Sequence, residues 1–332
     1  MFNKDENKFY ITKKSINNFN WKEFLRKYNV FITLIIVILI STSITKGLFL
    51  SGENILNIGE RASIVGIVAL GQMLVILSSG IDLSVGGITA IGFLIIGKSA
   101  NYGIPVIVTI LLVILGCTLA GALNGFFVTR TNVPPFMITL STNMILGALA
   151  NFLTGANILD YTKLQDFLNK YLFLGKVLSR LFPTVIWLIL SIIMIFVLSR
   201  TLFGHNIYAS GGNEIAAEFS GINTKNIKFM VYLLSGFFCA IAVIVLAYRL
   251  RTSNPNAGNS LILDSIAAVV LGGTNIMGGE GNVFGTLVGS IIIAALINLL
   301  NLANANPFIQ DAIKGLMLIA FVYIISYLSK KK

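Results

Sequence analysis

Charge is scarce in this chain. Aspartate, glutamate, lysine and arginine make up only 11% of its 332 residues, against about 25% in a soluble domain. Histidine occurs once and cysteine twice. A lone His205 has no evident catalytic partners. Cys117 and Cys239 each sit inside an apolar run, so they read as small hydrophobes and not as a disulfide or metal pair. Metal and cofactor chemistry are not expected, and clustered His, Cys or carboxylates for a membrane-embedded enzyme are missing. The spacing G-x-x-x-x-G-K-[ST] occurs at Gly92–Ser99, but at the end of the apolar run 83–97 and not in a strand-to-helix turn; it is not read as a phosphate loop, so any work driven by ATP must draw on another chain.

What the chain has is apolar residues: 56% hydrophobic, with a mean hydropathy of +0.87. A bilayer core of roughly 30 Å needs about 20 helical residues per crossing. Apolar runs of about that length recur at 30–50, 63–79, 83–97, 104–128, 136–154, 184–203, 229–249, 262–277, 283–302 and 308–328. In lipid every backbone group must be bonded internally, which leaves a helical bundle. The expected fold is an all-α polytopic membrane protein of about ten transmembrane helices in a cell membrane. The first run is too long and too far in for a cleaved signal peptide.

The net charge of +11 is placed for a membrane and not for nucleic acid. The tail 1–29 and the closing 329–332, with Lys330, Lys331 and Lys332, are basic. An even number of crossings then puts both termini in the cytoplasm, by the excess of basic residues on that side. The permease body is expected at 30–328, with a cytoplasmic loop at 204–228. Segment 155–183 falls outside although it carries Lys163, Lys170, Lys176 and Arg180. Its Tyr161, Phe167, Tyr171 and Phe173 suggest an interfacial helix.

Glycine is abundant, at 31 residues. "GIDLSVGG", residues 80–87, puts Asp82 between two apolar runs that look short, 63–79 and 83–97. Gly80 can end one helix in a left-handed conformation. Asp82 can cap the next, accepting from the amides of Ser84 and Val85 at the positive end of a helix dipole. It either only caps a break or lines a conduit. A second broken stretch is "LGGTNIMGGEGNVFGTLVGS", 271–290. Short, glycine-interrupted segments point to a transport site. "SIVGIVALG" at 63 and "SIAAVVLGG" at 265 share four of nine positions, a weak sign of repetition. Gly281, Gly285 and Gly289 recur every four residues, as do Gly121 and Gly125, a spacing that lets helices pack closely.

Thr139, Asn143, Gly147 and Asn151 lie four apart and share one helix face. Asn298 and Asn301 form a second polar pair. Uncharged amides and hydroxyls suit a polar, uncharged solute, or they bond neighbouring helices. "GGNEIAAEFSGINTKNIK", 211–228, reads as a helix of about seven residues capped by Asn213 and ended by Gly221. So short a helix does not persist alone in water, so it must dock onto something.

Four stretches, "GIDLSVGG", "NGFFVTRTNVPPFMITLSTNMILGALANFLTG" at 124–155, "GGNEIAAEFSGINTKNIK" and "LDSIAAVVLGGTNIMGGEGNVFGTLVGS" at 263–290, resemble the ribose/xylose/galactoside group of ABC importer permeases over residues 50–328. The resemblance implies a transmembrane permease subunit for a monosaccharide, working with a second permease chain (identical or not), a separate ATPase subunit and an extracytoplasmic sugar-binding protein. It implies that a coupling helix at Gly211–Gly221 docks into the ATPase, with Gly212, Asn213, Glu214, Ala217, Ser220 and Gly221 on the family pattern. It implies too that 249–264 lies near the binding protein. Many relatives carry a basic residue where this chain has Glu280, so no charge-dependent role is carried over there. The path-lining candidates are Asp82, Thr139, Asn143, Asn151 and Asn298. Rival solutes are nucleosides, branched-chain amino acids and sugar-like signals. An ion-gradient transporter is the rival mechanism, but Asp82 would be its only intramembrane ion ligand.

Overall fold

The run expected at 63–79 is part of a longer helix. In the computed structural model, which describes residues 21–155, 157–171, 176–306, 308–310, 312–316 and 319, α2 covers Gly52–Leu77. It begins eleven residues early, and the charge of Glu60 within the added turns is compensated. Glu60 lies 3.4 Å from the guanidiniums of both Arg180 and Arg249, and Arg180 also donates to Asn57 at 2.8 Å. At ~1.5 Å per residue α2 is about 39 Å long, enough to cross a bilayer core unaided.

Among the described residues there are twelve α-helices and one 3-10 turn. After α1 (Trp21–Ile44) and α2 come α3 (Val85–Asn101), α4 (Val106–Arg130), α5 (Pro135–Thr154) and α6 (Thr162–Tyr171). Then follow α7 (Lys176–Arg200), α8 (Leu202–Gly212), α9 (Glu214–Phe219), α10 (Thr224–Leu250), α11 (Leu261–Leu271) and α12 (Val283–Leu302). Six helices are long and apolar enough to cross a membrane, and Val30–Ile44, α3 and α11 are shorter apolar helices. The run expected at 308–328 lies largely outside the described residues.

α2 is the axis of the bundle. It packs against α7, α10, α11 and α12, and every residue from Ala62 to Leu77 is buried. α4 and α10 run together where Gly125 meets the Phe229 backbone, 2.8 Å from where a Cβ would stand, and where Gly121 faces Gly236. Gly285 and Gly289 bring α12 against the carbonyls of Gly272 and Ala268 on the α11 side. Gly281 does not share that seam. It precedes α12, whose N-cap is Asn282, and its open face meets Thr274 within its own loop.

α5 differs from the rest. Only 11% of its apolar window is buried, and Met137, Leu140, Met144, Ile145 and Phe152 are exposed. At the far end of α5, Leu159–Asp160 pairs antiparallel with Thr252–Ser253. There α6 lies over the bundle, with Tyr161 and Leu164 buried and Asn169 accepting from the Tyr248 hydroxyl at 2.8 Å. Phe173 lies outside the described residues. Cys117 and Cys239 are free and buried.

Candidate functional site

The break after α2 is built around a turn and a carboxylate. Ser79, not Gly80, takes the left-handed conformation (φ 62°). Gly80 is needed for space, because a Cβ there would stand 2.6 Å from the Tyr232 hydroxyl. Asp82 is fully buried. Its Oδ1 accepts from the Ser84 amide at 2.9 Å and from the Ser84 hydroxyl, and its Oδ2 accepts from Ser235 of α10 at 2.7 Å. The Val85 amide is not among its donors. Asn124 of α4 donates to the Ser84 hydroxyl oxygen at 2.7 Å. In the amide orientation that satisfies both groups, Gln72 of α2 bonds the Asp82 backbone N–H and carbonyl. A charge taken out of water is tolerable only when its lone pairs are met in this way.

α5 supplies the other wall. Thr139, also fully buried, accepts from the Leu83 amide at 3.0 Å. Asn143 Oδ1 accepts from the Gly87 amide at 2.6 Å, and α3 can come that close because Gly87 has no Cβ to strike the Asn143 backbone. Further along, Asn151 and Asn256 exchange side-chain bonds at 3.1 and 3.2 Å. The polar face of α5 therefore faces α3 and the 254–258 loop, and its apolar face points away from the bundle. Asn298 stands apart from this row. It lies on α12 and donates to Asn54 of α2 at 2.9 Å. Asn301 accepts from Gln310 at 3.0 Å.

The short helix of the 204–228 loop is α9. Asn213 Oδ1 accepts from the Ala216 amide at 2.9 Å, and Gly221 follows its end with φ 84°. Glu214 bonds Lys228 at 2.6 Å, and Glu218 accepts from the Thr224 hydroxyl at 2.6 Å. Ser220 donates to the Ala216 carbonyl at 2.9 Å. Ala217 turns inward, while Ile215 and Phe219 are 69% and 90% exposed. Four residues apart, these two form one apolar edge on a helix too short to stand alone. His205, on α8, is exposed.

Sequence reasoning missed how this element is anchored. Tyr208 of α8 donates to the Gly281 carbonyl at 2.9 Å. Ser79 Oγ lies 2.8 Å from the carbonyl oxygens of both Gly211 and Met277. The Gly279 amide donates to the Leu77 carbonyl at 3.0 Å. Gly211 packs so tightly that a Cβ would overlap the Leu77 carbonyl oxygen. The two glycine-broken stretches meet here, directly behind α9. The only sequence signal was the run of glycines in each stretch. Glu280 is exposed, and its backbone carbonyl accepts from the Asn275 amide.

Known proteins share this chain's sequence over most of its length. A family profile described as "Branched-chain amino acid transport system / permease component" matches residues 54–322. The ribose import permease protein of Haemophilus influenzae is 38% identical over 97% of this chain and 100% of that protein. The D-allose transport system permease protein of Escherichia coli is 34% identical over 94% of this chain and 95% of its own length. The xylose transport system permease protein of Haemophilus influenzae is 32% identical over 92% and 98%. A metal-chelate type ABC transporter solved in an inward-facing conformation covers 92% of this chain with a TM-score of 0.51 at 16% identity, a likeness of fold alone. By the matched profile and by relatives alike over nearly their whole length, this chain belongs to the branched-chain amino acid transport system / permease component family.

Proposed function

We propose that this chain is the transmembrane permease subunit of an ATP-driven importer for a monosaccharide. The observation that carries this is α9, a six-residue helix with an exposed apolar edge, joined from behind to both broken stretches. Full-length relatives named for ribose, allose and xylose support a sugar as the solute. So does α5, whose buried face offers hydroxyls and amides but no charge, which suits a sugar better than a zwitterionic amino acid.

In this reading the chain is not itself an enzyme. A separate ATPase subunit takes Ile215 and Phe219 of α9 and hydrolyses ATP. A sugar-binding protein delivers the solute to the opposite end, near 249–264. A second permease chain completes the path, which runs beside α5. Movement of α9 is passed through Gly211 and Ser79 to the Gly80–Gly87 turn. The seam between α3 and α5 then loosens and exposes Asp82, Thr139, Asn143 and Asn151 to the path. Asn298 holds α12 to α2. The chain crosses the membrane about ten times, with 308–328 as the last crossing and α11 completed by the 272–282 loop. The basic 1–29 tail and 329–332 lie in the cytoplasm on either side of the 30–328 body.

The test is affinity purification from gently solubilised native membranes, with mass spectrometry of the co-purified proteins. A partner bearing a phosphate-binding loop is expected, and it should be lost when 213–221 is replaced by a Gly/Ser linker. A chain that purifies alone and takes up ribose in liposomes without ATP would overturn the reading in favour of a gradient-driven transporter.

A further inference from the structure

The stretch between α10 and α11 enters the bundle without being a helix. Thr252 and Ser253 pair with Leu159–Asp160, and the Ser253 hydroxyl donates to the Phe93 carbonyl of α3. Gly258 then lies so close to Thr89 that a Cβ would overlap the hydroxyl oxygen. Asn259 Oδ1 reaches Gly86, 3.2 Å from where a Cβ would stand. The loop therefore descends α3 from Phe93 to Gly86, about 10 Å at ~1.5 Å per residue. Its own bonds hold it in that course. The Asn256 amide donates to Asn254 Oδ1, the Ala257 amide to the Asn254 carbonyl and the Leu261 amide to the Gly258 carbonyl, each at 3.0 Å.

One side of this loop is packed and the other is open. Ser253, Pro255 and Gly258 are buried, whereas Asn256 and Asn259 are exposed. Non-helical backbone alongside an apolar helix is tolerated only where it is buried in protein or lines a water-filled space, and broken segments of this kind line transport sites. The exposed amides therefore face water and not lipid. They stand beside the polar face of α5. Asn256 exchanges both side-chain bonds with Asn151. Asn259 Oδ1 and Asn143 Oδ1 both border Gly86. Asn143 accepts from the Gly87 amide, but its Nδ2 and the Asn259 side chain make no hydrogen bond among the described residues. Between the two pairs, Gly147 has nothing within 4 Å of where a Cβ would stand. Neither 139–151 nor 254–263 contains a charged residue.

We propose that Asn256 and Asn259 of this loop contact the solute from across the path, opposite Asn143 and Asn151, and select for uncharged, hydroxyl-rich molecules. An amide carries both a donor and an acceptor, as a hydroxyl does. A sugar can part the Asn151–Asn256 pair and take over both halves of the exchange, and it meets open donors and an open acceptor at Asn143 and Asn259. A zwitterion would leave its charges unmatched here. The inference rests on the sugar-importer reading and adds where along the path the solute is recognised.

The test uses the complete transporter, purified with its partners and reconstituted in proteoliposomes, with ribose, 2-deoxyribose and leucine as probes. Asn256→Leu and Asn259→Leu should each cut ribose uptake by about tenfold while ATP hydrolysis continues. Asn259→Gln, which keeps the amide, should retain most of it. In Asn259→Leu the ratio of ribose to 2-deoxyribose uptake should narrow by about two- to tenfold, the worth of one hydrogen bond. The binding protein is the same throughout, so it does not contribute to that change. Gly147→Leu puts a side chain where there is room for one, so Tm should hold while ribose uptake falls. Unchanged ribose uptake in Asn259→Leu and Gly147→Leu would overturn the proposal. So would equal losses for both sugars accompanied by a lower Tm, which would make the amides structural. Leucine uptake without ribose uptake by the unaltered transporter would instead end the sugar reading itself, and the selectivity with it.

Discussion

The Ser79 hydroxyl lies 2.8 Å from the Gly211 carbonyl oxygen, 132 residues away in sequence. It is the same distance from the Met277 carbonyl oxygen. One side chain thus links the end of α2, the segment entering α9 and the loop between α11 and α12. A push on α9 can reach both broken stretches through this point, beside the Tyr208 bond to the Gly281 carbonyl. Coupling needs such a contiguous element, with its alternative arrangements biased from both ends.

Gly211→Ala tests that element. The new Cβ would overlap the Leu77 carbonyl oxygen, and neither backbone can yield without opening the junction. Ribose uptake in proteoliposomes containing the complete transporter should fall at least about tenfold, while ATP hydrolysis by the assembled complex continues. Unchanged uptake would mean that the junction is not in the transmission route.

The apolar edge of α9 makes a separable prediction. Ile215→Glu and Phe219→Glu alter side chains that touch little of this chain, so Tm should stay within about 1–2 °C, as for surface changes worth less than ~0.5 kcal/mol. Retention of the ATPase partner in pull-downs should drop sharply. Full retention in both variants would place the docking surface elsewhere.

Asn143→Leu removes the acceptor for the Gly87 amide. A buried donor left unpaired costs about 1–3 kcal/mol, so a measurable drop in Tm is expected with the chain still folded. Uptake should be abolished, because the α3–α5 seam is what must open and reclose. Full transport by this variant would remove Asn143 from the working surface of α5.

Asp82→Asn keeps the shape but turns one of two acceptor oxygens into a donor. The carboxylate accepts from the Ser84 amide, the Ser84 hydroxyl and the Ser235 hydroxyl, so an amide must face at least one donor with an N–H or make that hydroxyl turn away. A destabilisation of about 1–3 kcal/mol is expected, read by thermal unfolding in detergent. The double variant Asp82→Asn/Ser235→Ala should recover part of it if the Ser235 bond is the one lost. Wild-type stability of the single variant would mean that the turn does not depend on the charge.

The helical membrane fold was legible in the amino-acid order, because lipid leaves a chain with 11% charge and recurrent apolar runs no other way to bond its backbone. The α9 caps were legible too, since Asn213 and Gly221 act on backbone groups only a few residues away. Helix ends near charges were not. α2 starts at Gly52, ahead of Glu60, whose charge is met by Arg180 and Arg249, residues more than a hundred positions on. The row Thr139, Asn143 and Asn151 could be placed on one face, but periodicity does not say what that face meets. Packing turned it towards α3, and it left the apolar side of α5 outward. The junction of Ser79, Gly211 and Gly279 was beyond sequence reasoning altogether. A glycine records that something comes close, and only the assembled bundle decides which backbone that is.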